Sequence, residues 1–263
     1  MKNFSRLPNA LRRSIKLFLA VFALSAPLLL ATNAMAQETS FGDLYWMTEE
    51  YYPYNFSENG RVNGISPTLL RLTWKELGEP EYELKAYPWA RAYHMAQTLP
   101  RTVLFSMART PEREQMFKWA GPIAHVRFVL TAPKAKGLKI STGTDLKGLV
   151  IGTLRDDVGD QLLEPWRDIC TIEPVATMDQ NLKKLEMGRL DLFSYEENST
   201  RLFLLHEGKK PEDYETVFVL QDVPIYFAFH KDTADTLILR FQKALDRVKQ
   251  TNAFVDLLDD YAR

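Results

Sequence analysis

Two arginines in one polar turn are the residues of this sequence with the clearest chemical use. Arg109 and Arg113 follow the apolar segment 103–107, which is predicted to be a strand. An arginine fixed after a strand can hold a carboxylate through two parallel hydrogen bonds, a geometry that lysine cannot reproduce. Because the arginines stand four residues apart, either can face a cleft while the other pairs with Glu112 or Glu114.

Two aromatic stretches stand at similar places along the chain. Tyr52 and Tyr54 lie in a loop directly after the first predicted strand, residues 42–47, and Trp89 and Arg91 lie in the first turn of a helix that follows another strand. Loops at the carboxyl ends of parallel strands form the ligand crevice of open α/β sheets, and rigid rings there can wall a pocket for a small solute. The alternative is that Trp89 belongs to the core and Arg91 points into solvent.

No signature of a common enzyme or metal site accompanies these residues. The nucleotide motifs GxGxxG and GxxxxGKS/T, the motifs HExxH and CxxC, and the hydrolase motif GxSxG are all missing, and the four histidines have no ligand-like spacing. We therefore expect no catalytic residues, no bound metal and no cofactor. The single cysteine, Cys170, excludes an intramolecular disulfide and is predicted to be a small buried residue.

The segments that must position these side chains alternate between strand-like and helix-like patterns. Four predicted strands, the last at 125–131, are followed by a Lys- and Gly-rich stretch at 133–143 that resembles a crossing between lobes. A second alternating set includes a strand at 215–220, and a last strand at 224–229 precedes two closing helices. This alternation predicts an α/β fold with mostly parallel sheets flanked by helices. We expect two lobes, residues 38–130 with 225–263 and residues 131–224.

The first 36 residues have the three parts of a secretory signal peptide. Five basic residues precede an apolar run at 17–31, and Ala34-Met35-Ala36 places small residues where a signal peptidase reads them. The run is shorter than the roughly 20 residues of a membrane-spanning helix. We expect cleavage after Ala36 and export to a bacterial periplasm.

Removal of that segment changes the charge of the chain. It takes five of the 33 basic residues and none of the 34 acidic ones, so the mature chain has a net charge of −6. A surface of this charge favours solubility and gives no reason to expect nucleic-acid binding.

Several short motifs occur in an order that resembles one known protein family. A Tyr-Pro-Tyr loop follows the first strand, Gly-Ile-Ser-Pro opens the next helix, and Thr-Pro-Glu-Arg at 110–113 precedes Phe-Lys-Trp-Ala-Gly-Pro-Ile at 117–123. With Gly-Arg-Leu-Asp-Leu at 188–192, they resemble the bacterial extracellular solute-binding proteins of family 3, the amino-acid-binding group that serves ABC importers. The resemblance covers essentially all of the mature chain and implies a two-lobed periplasmic-binding-protein-like fold.

The resemblance also implies roles for individual residues. In amino-acid binders of this family the arginine of the Thr-x-x-Arg motif holds the ligand carboxylate, which here is Arg113, and a later acid that matches Glu196 holds the ammonium group. Ala108 stands where a hydroxyl donor is usual. The start of the second-lobe helix carries Asp157, which would repel a carboxylate. The ligand could therefore be an amino acid held differently, or a cationic, sugar-like or peptide-like solute.

Together these inferences predict a monomeric periplasmic protein that captures a small polar solute, an amino acid or a related compound, between two hinged lobes. Its predicted partner is an inner-membrane ABC permease. Two alternatives stay open. The same fold resembles periplasmic cyclohexadienyl dehydratases, in which Glu196 or Asp157 would donate a proton if burial raised its pKa. The other alternative is a free-standing ligand sensor.

Overall fold

The computed structural model describes the backbone of residues 40–262 and the side chains of residues 40–257. The predicted signal peptide, residues 1–36, lies outside the described residues. Strands and helices alternate along the described chain, as the hydrophobic pattern predicts. No helix within it combines the length and the apolar character that a membrane crossing requires.

The strands and helices follow in three groups along the chain. The first group contains β1 Tyr45–Thr48, β2 Phe56–Glu58, β3 Arg61–Asn63, α1 Ile65–Leu77, β4 Leu84–Ala86, α2 Trp89–Thr98, β5 Thr102–Ala108 and the long β6 Phe117–Pro133. The second group contains β7 Val150–Leu154, α3 Val158–Gln161, β8 Thr171–Val175, α4 Met178–Glu186, β9 Leu192–Glu196 and α5 Glu197–His206. The third group contains β10 Tyr214–His230, α6 Asp235–Val248 and α7 Asn252–Ala262.

Eight strands form one hydrogen-bonded sheet in the order β4-β1-β5-β10-β6-β9-β7-β8. In the first half, β1 lies parallel between β4 and β5, and in the second half, β7 lies parallel between β8 and β9. The long strands β6 and β10 run antiparallel to each other between the halves and form the ribbon that joins them. This arrangement confirms the predicted α/β class.

The ribbon passes through both predicted lobe boundaries, and the stretch at 133–143, where the sequence predicts a crossing, follows the end of β6. β6 and β10 are each 17 residues long, so each is longer than any of the strands predicted at 125–131, 215–220 and 224–229. β10 pairs with β5 through residues 225–229, at one end of the ribbon. β6 pairs with β9 through residues 128–131, towards the opposite end of the ribbon. Both strands run through the positions where the sequence places lobe boundaries, which remain a proposal.

Gly121 and Pro122 explain why the length of β6 is hidden in the sequence. Proline has no N–H group for a strand ladder, and the pairing with β10 skips residues 121–123. Gln242 of α6 takes the place of the strand partner, because its Oε1 accepts from the Gly121 N–H at 2.7 Å and its Nε2 donates to the Gly121 carbonyl at 3.0 Å. A helix side chain thus satisfies the backbone that the irregular pairing leaves free.

The start of α1 is tied to the loop that follows β1. The helix begins at Ile65, and the N–H groups of Ile65 and Ser66 donate to the carbonyls of Pro53 and Tyr54 at 3.2 and 2.9 Å. Gly64 precedes the helix with a φ of 119°, and a β-carbon there would lie 2.5 Å from the Tyr54 carbonyl oxygen. The close approach of loop and helix therefore requires glycine at this position.

Aromatic side chains are prominent among the bulkiest buried groups of the core, which has both aromatic and aliphatic members. The largest wholly buried rings are those of Trp46, Trp74, Phe41, Phe105, Phe193, Phe227, Phe229 and Phe241. In the second half Cys170 is buried as predicted, with its Sγ 3.1 Å from the Trp166 carbonyl oxygen. Burial raises the pKa of this thiol, so it stays protonated and weakly reactive at neutral pH.

Candidate functional site

Residues from both halves and from the ribbon line a small cavity beyond the ends of the parallel strands. The lining side chains are those of Glu49, Tyr51, Trp89, Ser106, Ala108, Arg113, Phe128, Asp157, Tyr195 and Ile225. The cavity has a volume of about 10 Å³, which is room for about one water molecule. Open α/β sheets bind their ligands at the carboxyl ends of their strands, so this cavity is the candidate site.

A larger groove of about 360 Å³ lies elsewhere, where β6 ends against residues 209–214. None of its lining residues is buried, and three of them are the exposed or half-buried lysines Lys134, Lys209 and Lys210. Because all of its lining residues are at least partly exposed to solvent, the groove offers no fixed recognition chemistry comparable to that of the cavity.

Arg113 supplies the positive charge of the cavity. Its side chain is 1% exposed, its Nη2 donates to the Asp156 carbonyl at 3.0 Å, and its Nη1 donates to the Ala108 carbonyl at 3.4 Å. The guanidinium carbon lies 5.0 and 4.9 Å from the ring centroids of Trp89 and Tyr93. Burial lowers the pKa of Arg113, yet a guanidinium stays charged at neutral pH. Its Nε is buried without a hydrogen-bond partner, so one donor is left for another group.

Glu49 and Asp157 place two carboxyl groups at the same cavity. Burial raises the pKa of Glu49 well above its ordinary value, and the nearby Asp157 raises it further while Arg113 opposes both effects. Burial also raises the pKa of Asp157, against Arg113 and the N–H groups at the start of α3. The Oδ2 of Asp157 is buried and has no hydrogen-bond partner. In residues 40–262 no group of three or more His, Cys, Asp and Glu side chains is arranged to hold a metal ion.

Glu196 ends β9 and caps α5 beside the cavity. Its carboxylate accepts from the N–H groups of Asn198 and Ser199 at 3.1 and 2.7 Å. Burial raises the pKa of Glu196, and these N–H groups oppose the shift. A carboxylate at a helix N-terminus is favoured by the helix dipole, so Glu196 has a structural partner of its own.

A buried polar network fixes the loop that carries Glu49. Ser106, in β5, has a φ of 63°; its Oγ donates to the Oδ1 of Asn55 and is hydrogen-bonded to the Oγ of Ser66 at 2.7 Å. Asn55 in turn donates from its Nδ2 to the Glu49 carbonyl at 2.6 Å. The network therefore links β5, α1 and the loop after β1, and it sets the position of Glu49.

One carbonyl group of the second half receives two donors of the first half. The Asp156 carbonyl accepts from Trp89 Nε1 at 2.8 Å and from Arg113 Nη2 at 3.0 Å. Asp156 has a φ of 61°, a left-handed conformation that is uncommon for a residue with a side chain. A further contact between the halves joins Ser199 Oγ to the Tyr52 carbonyl at 2.6 Å.

The model of one protein family, the bacterial extracellular solute-binding proteins of family 3, matches residues 45–263. The chain belongs to this family. The resemblance that the sequence motifs predict is therefore confirmed.

One relative by sequence and several solved structures match most of this chain at low sequence identity. The probable amino-acid-binding protein YxeM of Bacillus subtilis is 24% identical over 229 residues, which cover 81% of each chain. A solved structure of an ancestral arginine-binding protein bound to glutamine has a TM-score of 0.71 at 20% identity, with 84% of this chain and 97% of that chain covered. The ancestral amino-acid-binding protein AncCDT-1, a precursor of cyclohexadienyl dehydratase, has a TM-score of 0.70 at 19% identity, with coverage of 84% and 96%. The likeness confirms the two-lobed fold.

The structure brings three of the predicted site residues of this family member to the cavity, namely Trp89, Arg113 and Asp157. Tyr54 is buried behind them with its ring 5.0 Å from that of Tyr51, and Glu196 caps α5. Of the two arginines in the turn, Arg113 is therefore the one that faces the cavity.

The other three predicted site residues lie outside the cavity lining. Tyr52 is 44% exposed and packs against Phe56 with the rings tilted by 46°, and the guanidinium of Arg91 lies over the ring of Tyr87. Arg109 forms two hydrogen bonds with the carboxylate of Glu114, at 2.6 and 2.7 Å.

Sequence reasoning misses Glu49, Tyr51, Ser106 and Tyr195, which line the cavity. The pair Glu49-Glu50 is typical of a solvated surface, yet Glu49 follows β1 directly. Position immediately after a parallel strand is the signal that could have identified it, because that edge of the sheet forms the crevice.

Proposed function

We propose that the protein captures a small carboxylate-bearing solute, an amino acid or a related compound, between the two halves of its sheet. The proposal rests on one observation, the buried Arg113 guanidinium with a free Nε donor at the strand ends. Arginine can bind a carboxylate through two hydrogen bonds, and burial strengthens that recognition because water does not compete. The proposed setting is the periplasm, the proposed form is a monomer, and the proposed partner is an inner-membrane ABC permease.

Entry of such a solute requires the halves to separate. A cavity of about 10 Å³ has no room for an amino acid. Separation breaks the hydrogen bonds from Trp89 and Arg113 to the Asp156 carbonyl. A solute then occupies the cleft, and its carboxylate takes the freed donors of Arg113. Closure follows if the solute binds the closed form better than the open form.

A solute screen with two arginine variants tests the proposal. We expect the mature protein, residues 37–263, to show a raised melting temperature with at least one member of a panel of amino acids, polyamines, sugars and short peptides. Arg113→Lys keeps the charge and loses the planar fork, so affinity for a carboxylate solute should fall roughly tenfold or more by titration calorimetry. Arg109→Lys is the matched control, because Arg109 pairs with Glu114 outside the cavity. Equal losses in both variants, or no solute from the whole panel, would contradict the proposal.

Binding without turnover is part of the proposal. The carboxylate of Glu196, one of the two candidate proton donors, already accepts two backbone N–H groups of α5. A general acid needs a free approach to the leaving group. Glu196 is therefore poorly placed as the acid, whereas Asp157 lines the cavity with a raised pKa and would have to supply the proton. We expect no conversion of prephenate or arogenate, measured by product absorbance, and steady turnover of either would establish the dehydratase alternative.

The role in import is tested separately from binding. Deletion of the gene should abolish uptake of the radiolabelled solute that raises the melting temperature. Unchanged uptake together with altered gene expression would instead identify a free-standing sensor.

A further inference from the structure

The walls of the cavity carry more negative than positive charge. Glu49 comes from the loop after β1 and Asp157 from the start of α3, so the two carboxyl groups face the cavity from opposite halves. Arg113 is the one basic side chain among the described residues that line it. If a solute carboxylate takes Arg113, both wall carboxylates are left without a counter-charge.

Asp157 shows that this imbalance is not relieved within the protein. Its side chain is 8% exposed, and its Oδ2 has no hydrogen-bond partner. A buried carboxylate oxygen without a donor destabilises the folded state. An N–H donor from a bound solute would remove that penalty, and a cationic donor would remove more of it.

The carboxyl group of Glu49, in the first half, also depends on Arg113 for a counter-charge. Asp157 repels its carboxylate, and Arg113 alone opposes the repulsion. Its neighbour Glu50 differs, because Glu50 is exposed and accepts a hydrogen bond from the Ser57 N–H at 2.9 Å. The Asn55 and Ser106 network holds the Glu49 backbone at the cavity, where the side chain is half-buried.

We propose that the solute carries two positively charged nitrogens as well as a carboxylate, as a cationic amino acid does, and that Glu49 and Asp157 accept the charge which the carboxylate does not balance. This inference rests on the proposed function and names the ligand class of the same site. A solute with one ammonium group and one carboxylate leaves one wall carboxylate uncompensated. A second cationic nitrogen completes the balance, and the position of the buried Asp157 and the half-buried Glu49 at the cavity makes that completion selective.

Matched pairs of solutes measure the selectivity directly. Arginine and citrulline differ in the charge of the side-chain end at nearly equal shape, and lysine and norleucine differ in the same way. By titration calorimetry at about pH 8 we expect arginine or lysine to bind at least about tenfold more tightly than its neutral partner, because a cationic nitrogen beside the wall carboxyls favours their ionised form.

Two amide variants assign that selectivity to the wall acids. Glu49→Gln and Asp157→Asn keep the shape of each side chain, and each should reduce the ratio of cationic to neutral affinity by about tenfold. Glu50→Gln, the neighbouring exposed acid, should leave the ratio unchanged. Circular dichroism confirms folding, and either amide variant alone suffices if the other does not fold.

The outcomes separate this inference from the proposed function. Equal affinity for cationic and neutral partners, binding of neutral or acidic solutes only, or unchanged ratios in both amide variants would overturn the inference and leave solute capture intact. If no solute of the whole panel binds, both fail together.

Discussion

The carboxyl groups of Glu49 and Asp157 line the cavity, where burial disfavours their ionised form. The pKa of each is raised, chiefly by burial. Natural proteins tolerate such groups at functional sites at a cost in stability. Arg113 could be predicted from its motif, whereas the only signal for Glu49 is its position directly after β1, and the acid pair does not reveal which member turns inward. Only the path of the loop, fixed by Asn55 and Ser106, decides it.

The raised pKa of Glu49 has a definite consequence for stability against pH. Below the ordinary value of 4.5, the carboxyl is protonated in the folded and the unfolded state, so Glu49→Gln should match the parent. As pH rises, only the unfolded state releases the proton easily, and the parent loses stability that the variant keeps. We expect the excess melting temperature of Glu49→Gln to grow from about pH 4 to about pH 8, measured by calorimetry.

Glu114→Gln is a control whose stability should change with pH in the opposite direction. Arg109 lowers the pKa of Glu114, so its contribution is present above the ordinary range and is lost as pH falls. The Gln variant should therefore be slightly less stable than the parent at neutral pH and equal to it in acid. A flat difference between Glu49→Gln and the parent across the pH range would contradict the account of Glu49.

At the scale of elements, the loop after β1 and helix α1 form one unit. The first N–H groups of α1 donate to the carbonyls of Pro53 and Tyr54, so the loop caps the helix. Helix α1, which the sequence predicts to open at Gly-Ile-Ser-Pro, is confirmed, and it ends at Leu77, directly before Gly78. Its cap could not be predicted, because Ser66 has the usual chemistry of a cap and instead forms a hydrogen bond with Ser106 in the interior.

Two glycine substitutions separate steric from conformational effects in this unit. Gly64→Ala should lower the free energy of unfolding by more than Gly78→Ala, since a β-carbon at position 64 would lie 2.5 Å from the Tyr54 carbonyl oxygen. Gly78 has a φ of 73° with no atom within 4 Å, so its substitution should cost only the left-handed penalty of about 1–2 kcal/mol. Urea denaturation measures both, and similar losses would show that the loop yields to the extra methyl group.

At the scale of the whole described chain, the ribbon of β6 and β10 connects the two halves, and the proposed separation of the halves would leave the ribbon hydrogen-bonded. The alternation of elements predicts the fold class because local pattern determines strand and helix. It cannot predict which surfaces meet across the cleft, since the contact of Trp89 with Asp156 joins residues 67 positions apart.

Trp89→Phe tests the contribution of that contact to closure. The variant keeps an aromatic ring beside Arg113 and loses the Nε1 donor to the Asp156 carbonyl. One net hydrogen bond corresponds to a loss of about 2- to 10-fold in affinity for a solute that binds the closed form. Trp119→Phe is the control, because Trp119 Nε1 donates to the Glu114 carbonyl away from the cavity. Calorimetry with the best solute of the screen gives both values, and equal affinities in the two variants would exclude a role for the Trp89 contact.

The buried thiol of Cys170 makes this chain convenient for optical work. A maleimide dye reacts with a thiolate in contact with solvent, and the sole native sulfhydryl is covered and held protonated. Cysteines engineered at one exposed position in each half would therefore accept fluorophores without background labelling. Energy transfer between them could then follow the opening and closing of single molecules with the native cysteine left in place.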